Sequence, residues 1–213
     1  MTGVCVVPPN ILFPEGSTYA MVVYDTIGSQ VGWNGIIVTV DSKGPVKSLL
    51  KVRQGDIVVM TGVVDEIPTE DMNSMTIFKC LSITTVDSFH LTPKPILVSL
   101  SDFYRGSYPT GQVKYSTGEQ YEGMYVELHD LRVYSEVSAM EGSLNLVDTA
   151  GNTLSTSDVS KWFTLGRHRD ASSTYTPPVS ARIDTIRGII VTSGDSLHSN
   201  GSYGYRKIGR AHV

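Results

Sequence analysis

The chain is short of the residues that build staples and metal centres. Its 213 residues include two cysteines, Cys5 and Cys80, too few for a disulfide scaffold and without the spacing of a metal-ligand pair. Two readings of them stay open: buried thiols acting as small hydrophobes, or a disulfide between neighbouring strands. Long apolar runs are missing too. No stretch approaches the roughly 18 apolar residues of a membrane-spanning helix, so no membrane span is expected. Nor does any dozen residues carry an apolar stripe at helical spacing, which leaves little room for helix.

Catalytic motifs are equally absent. There is no Gly-x-Ser-x-Gly elbow, no phosphate loop, no His-Glu-x-x-His and no Cys-x-x-Cys. His90, His129, His168 and His198 stand isolated, without the partner a general base needs. The expectation is a chain that is not an enzyme, with no cofactor and no metal. An acidic group at Asp65, Glu66, Glu70, Asp71 and Asn73 has oxygen ligands at loop spacing, but a solvated hairpin tip explains it better than calcium. Asp148 and Asn152 suit a tight turn.

Positive charge is scarce at the front. Residues 1–91 hold five Lys plus Arg against nine Asp plus Glu, and residues 92–213 hold twelve of each. Nucleic-acid affinity is dominated by phosphate neutralisation, so this balance argues against a strong nonspecific polyanion binder. Any basic patch must be local.

What is present is strand. Runs of Val, Ile, Thr and Tyr alternate with clusters of Gly, Pro, Asn, Asp and Ser. The most strongly patterned run, 55–67, opens on a Gly55-Asp56 turn, is apolar enough to be buried for much of its length, and carries Gly62 where a bent strand needs relief. Similar strings recur at 1–7 and 186–191, which suggests repeated small barrels. Strands are expected at 1–7, 18–25, 33–41, 55–67 and 75–84. Lys43, Lys47, Lys51 and Arg53, set around Val46, Leu49, Leu50 and Val52, have the spacing of a short helix or turn plugging a barrel end. Five strands with a helical plug between the third and fourth is an OB-fold count.

Residues 92–115 read as a connector, extended and stiff at Thr92-Pro93-Lys94-Pro95, with a short helical turn at 101–104. The pattern then restarts with strands at 121–134 and 142–148, a turn at 149–152, a polar stretch, a strand around Gly188, and a last strand at 203–208. The fold class is therefore all-β, two consecutive five-stranded OB-fold-like barrels at 1–91 and 116–208. Both are expected to be cut at their outer ends. Met1 opens inside a strand, as an internal methionine would. Residues 209–213 back-translate, with Ile208, to ATC GGA AGA GCA CAC GTC, which resembles a short-read sequencing adapter, so they read as a non-native tail.

The order Thr-Gly-Val, Trp-Asn-Gly-Ile-Ile-Val, Gly-Asp-Ile-Val-Val-Met-Thr-Gly-Val-Val, a Pro-x-Pro connector and Tyr-Glu-Gly-Met-Tyr-Val resembles the tandem OB-fold regions of secreted bacterial proteins. Such regions often precede endonuclease/exonuclease/phosphatase-type domains in extracellular nucleases. The resemblance implies a non-catalytic accessory module of a secreted or cell-surface protein. It would position extracellular nucleic acid for a catalytic domain of the same parent chain that is absent from this sequence. Alternatives are a structural spacer or protein-interaction module without ligand, and a carbohydrate-binding module. The motifs behind it are turns and strand cores, informative for fold and weak for activity.

Aromatic rings in an OB fold stack single-stranded nucleic acid or oligosaccharide. In the first half the candidate platform is Tyr19, Tyr24 and Trp33, with Trp33 alternatively sealing the barrel. In the second half Lys161, Trp162, Phe163, Arg167, Arg169 and Arg182 combine guanidinium groups with an aromatic pair, a set able to hold phosphate and stack bases. The competing reading is a solvated loop with Trp162 over a barrel mouth.

Overall fold

The computed structural model describes residues 1–9, 19–25, 32–40, 46–67, 75–88, 90, 93–106, 111–138, 143–157, 177–194, 203–208 and 211–212. The first half forms β1 (Thr2–Val7), β2 (Tyr19–Tyr24), β3 (Gly35–Val40), the one-turn helix α1 (Val46–Leu49), β4 (Ile57–Ile67) and β5 (Met75–Asp87). The five strands close into a barrel in the order β1-β2-β3-β5-β4. All pairs are antiparallel except β3–β5. This ring, with a helix between β3 and β4, is compatible with an OB fold.

Strand alternation sorts the side chains. Cys5, Met21, Val23, Val38, Val40, Val58, Met60, Phe78 and Cys80 form the barrel interior, and Leu49 of α1 with Val52 closes one end. Both cysteines are buried and free, which removes the disulfide alternative. Burial, helped by the Asp56 charge, pushes the Cys5 thiol up to about 12, and burial also raises Cys80. Neither is a thiolate at neutral pH.

The Gly55-Asp56 turn does lead into β4. Gly55 has φ +87°, and a Cβ there would meet the His90 carbonyl oxygen at 2.5 Å, so only glycine fits. Gly62 sits at a register shift against β5, where a Cβ would lie 2.2 Å from the Lys79 carbonyl oxygen. The expected burial of this stretch holds only for its inward residues. Val63 and Val64, on opposite faces of the strand, are 58% and 61% exposed, so past Gly62 both faces of β4 meet solvent.

The remaining elements are β6 (Ile96–Leu97), a 3₁₀ turn (Leu100–Asp102), β7 (Tyr104–Arg105), β8 (Gln112–Val113), α2 (Tyr115–Gly118), a second 3₁₀ turn (Glu119–Tyr121), β9 (Tyr125–Ser138), β10 (Ser143–Val147), β11 (Thr153–Ser157), β12 (Arg182–Gly194), β13 (Tyr203–Ile208) and β14 (Ala211–His212). One sheet runs β14-β12-β13-β11-β10-β9-β6, with an additional β12–β9 pairing. Within it β11 and β13 are parallel. The first 3₁₀ turn is capped by Ser99, whose backbone N–H donates to Asp102 Oδ2 at 2.8 Å. It lies within the connector, whose Val98, Leu100, Phe103 and Tyr104 are buried in the core. A strand at 153–157 was not expected from so polar a run. Its Leu154 points into the core, and on the other face Asn145 donates to Ser135 and accepts from Ser155 at 2.8 and 3.0 Å.

The two halves share a core. Val4, Val6, Ala20, Val22, Tyr24, Ile37 and Ile77, all pointing away from the first barrel's interior, cluster with Met124, Val126, Leu128, Ile189 and Ile190 of the second half. Full burial of an aliphatic side chain is worth about 1.5–3 kcal/mol, so Val4, Val6, Val22, Ile37 and Ile77 alone bring this joint to the order of 10 kcal/mol. Polar groups then fix its register. The Tyr24 hydroxyl accepts from the Tyr125 N–H and lies 3.3 Å from the Tyr125 carbonyl. Glu122 accepts from the Thr76 N–H at 2.8 Å and from the Thr192 hydroxyl. Gly35 and Gly123 face each other so closely that a Cβ on Gly35 would lie 2.7 Å from the Gly123 carbonyl oxygen.

Candidate functional site

An OB barrel offers ligands the outer face of its second and third strands. In the first barrel that face is taken by the joint. Tyr24 is 1% exposed, so it is no stacking platform, and burial raises its hydroxyl above the ordinary tyrosine range. Its position at the end of an apolar run, before Asp25, hid a structural hydroxyl. Tyr19 is half-buried and packs against the barrel interior. Trp33 is the exception. It is 74% exposed, which overturns the reading of Trp33 as a barrel seal.

In the second half Arg182 is exposed at the start of β12 and held between Asp130 and Asp184, each at 2.9 Å. Its charge is locally balanced. Lys161, Trp162, Phe163, Arg167 and Arg169 lie outside the described residues. Among the described residues no group of three or more His, Cys, Asp or Glu side chains is placed to hold a metal. In the acidic group, Asp65 pairs with Lys79 and Glu66 accepts from the Thr76 hydroxyl at 2.8 Å. Glu70, Asp71 and Asn73 lie outside the described residues.

The structure assembles a different cationic surface. Four of the five Lys and Arg residues of the acidic first half fall within 43–53, and the described part of this segment, from α1 to Arg53, lies at the plugged end of the barrel. Lys51 and Arg53 line a cleft of about 630 Å³ between the segment and the end of β5, with the hydroxyls of Ser48, Thr84, Thr85 and Ser88 and the carboxyl of Asp56. A second recess of about 480 Å³, on Pro8, Leu50 and Gln54, shares the same two cations. Neither Lys51 nor Arg53 has an ion pair among the described residues.

Local chemistry holds the cleft open. Asp56 Oδ2 accepts from the Arg53 N–H at 2.9 Å, and the Cys5 N–H donates to the Asp56 carbonyl at 2.8 Å. This ties the turn to β1. Gln54 donates to the Val6 carbonyl at 3.1 Å. Asp56 is buried and engaged, so the two exposed cations dominate what a ligand meets. Two cations beside several hydroxyls suit phosphate or sulfate oxygens. The cation cluster was visible in the sequence, but its helical spacing pointed to a plug and not to a cleft.

No family model matches the chain, and no curated protein matches it. Among solved structures, the chain is similar to a single-stranded DNA-binding protein from Thermus aquaticus. The alignment covers 100% of this chain and 90% of that one, at 9% identity and a TM-score of 0.30. A likeness this loose carries no argument about ligand.

Proposed function

We propose that the chain is a non-catalytic module of two joined OB-type barrels that binds a single strand of nucleic acid at the Lys51–Arg53 cleft. The observation that supports it is the concentration of hydroxyls and of cations without an ion pair among the described residues at one cleft of an otherwise acidic unit. A cationic groove of this kind tracks phosphates without reading sequence. The second unit's reading as a barrel is supported by its pairings. β9 joins β10 and β12, β10 joins β11, β11 joins β13 in parallel, and β13 joins β12, the succession seen in the first barrel. Action beside a catalytic domain in a secreted or cell-surface parent protein is part of the same proposal.

Anisotropy of a labelled single-stranded oligonucleotide, measured over a salt series, tests the reading. Replacing Lys51 and Arg53 together by Ala is expected to weaken binding and to flatten the plot of log affinity against log salt by about 1.4, at roughly 0.7 per phosphate contact on a single strand. Unchanged affinity and slope would falsify the assignment.

The spacer reading is favoured by one specific observation, the buried joint. A shared core of this size fixes the orientation of whatever the two units carry. Absence of oligonucleotide binding even at low salt would leave that as the function.

A further inference from the structure

Trp33 is placed in a way that packing does not explain. Its backbone lies at φ +55°, a conformation uncommon for a residue of its size. Its N–H donates to the Gln120 carbonyl of the second unit at 2.8 Å, and the preceding Gly32 sits against Gln120, where a Cβ would come within 2.9 Å of Oε1. The joint thus clamps the backbone on which the indole is held out to solvent. Beside it, Asn34 is 6% exposed, and neither its amide nitrogen nor its amide oxygen has a hydrogen-bond partner among the described residues. A buried amide with both ends unsatisfied is costly and rare. Gln120 donates its own amide nitrogen to the Thr117 carbonyl at 3.0 Å, leaving Oε1 without a donor among the described residues.

We infer that Trp33 and Asn34 form a nucleobase site at the edge of the joint, the indole stacking on the base and the Asn34 amide pairing with its edge. Among the described residues no hydrogen bond holds the amide inward, so turning it toward a ligand breaks none of theirs. One amide supplies one donor and one acceptor, the match for the N6/N7 edge of adenine. A sugar ring carries hydroxyls around its rim and calls for several partners, which a single amide does not provide. Trp33 precedes β3 and the cationic cleft lies beyond the end of that strand, so the base site is separate from the phosphate site. The assignment rests on the nucleic-acid reading for its ligand, but not on the cleft residues.

The test uses the full chain. Trp162→Phe leaves Trp33 as the only tryptophan, and its emission is followed as oligo(dA), oligo(dT) or a neutral glucan hexamer is added. Oligo(dA) is expected to quench at lower concentration than oligo(dT), and the glucan not at all. In a second measurement that needs no tryptophan signal, Trp33→Ala is expected to weaken labelled oligo(dA) by about 5- to 150-fold, the range for one stacked base. Asn34→Ala is expected to keep stacking and lose the preference for oligo(dA). Quenching by the glucan alone, or Trp33→Ala binding as wild type, overturns the inference. So does an oligo(dA) preference that survives Asn34→Ala. If Trp33→Ala has no effect while the Lys51 and Arg53 double variant loses binding, the base site fails and the cleft stands. The opposite pattern removes the cleft and keeps the base site.

Discussion

β2 and β4 carry similar apolar sequences, and the fold treats them in opposite ways. Along β2, Met21 and Val23 fill the barrel while Ala20, Val22 and Tyr24 fill the joint, so both faces are buried. Along β4, Val58 and Met60 face inward, whereas Val59 and Val63 look outward into water, beside the 67%-exposed Leu81 of β5. Apolar residues on both faces of a strand therefore do not say whether a second layer exists. What distinguishes the strands is their fittings. β2 ends on a tyrosine whose hydroxyl meets another backbone, and it pairs with a strand that opens on glycine. β4 and its neighbour β5 carry a charged pair, Asp65 and Lys79, on the exposed part of the sheet.

The comparison can be broken most forcefully at Gly35. Gly35→Val would press a branched side chain against the Gly123 carbonyl, the Tyr24 ring and Met124, and is expected to cost about 3 kcal/mol, at the upper end for overpacking. Urea unfolding measures it, and a loss below about 1 kcal/mol would show that the joint yields. Tyr24→Phe comes next. It strips the acceptor from the Tyr125 N–H and should lower stability by about 1–3 kcal/mol, the cost of a buried unpaired donor. A neutral result would mean water reaches that N–H.

Glu122 sharpens the comparison through pH. Burial holds its carboxyl above the ordinary range, the hydrogen bonds from Thr192 and Thr76 oppose this, and the charges of Glu119 and Glu66 add to it. The folded state therefore binds this proton more tightly than the unfolded state. Its stabilising contribution is complete below the ordinary carboxylate range and is lost as pH climbs through the raised value. In Glu122→Gln that decline should vanish, so denaturation midpoints measured against pH run flatter over this window. At neutral pH the change is expected to stay under about 1 kcal/mol in either direction. An unaltered pH profile would show that Glu122 is not the group responsible.

The smallest effect belongs to β4 and β5. Val63→Thr with Leu81→Thr should alter stability by no more than about 0.5 kcal/mol per site, as for surface changes in general. A large loss in thermal or urea unfolding would reveal a hidden partner for that face.

Much of the barrel was legible. Strand periodicity placed all five strands of the first half, Gly55 announced a turn and Gly62 a bend in the strand, and the apolar and basic spacing around Leu49 announced a short plug. The joint was not legible, because strand alternation reports which residues share a face and is silent on what that face meets. Tyr24 looked like a ligand platform for the same reason. β11 escaped because Ser155 and Thr156 find their partners across the strand pair, in the Asn145 amide and the Leu144 backbone, a pattern that looks like loop when read along the chain. Of the candidate site, the crowding of Lys43, Lys47, Lys51 and Arg53 was readable. The unpaired amide of Asn34 was not, since hydrogen-bond satisfaction is a property of the fold.

The facing glycines have a consequence for descent. Gly35 and Gly123 come from different halves, yet each leaves room for the other's backbone. A substitution in one half is therefore judged by the residue in the other, and a barrel moved into a new chain would arrive with a surface that fits only its old neighbour. Shuffling that recombines single barrels would be penalised, and duplication or transfer of the pair would not. The two units are expected to pass between genes as one cassette.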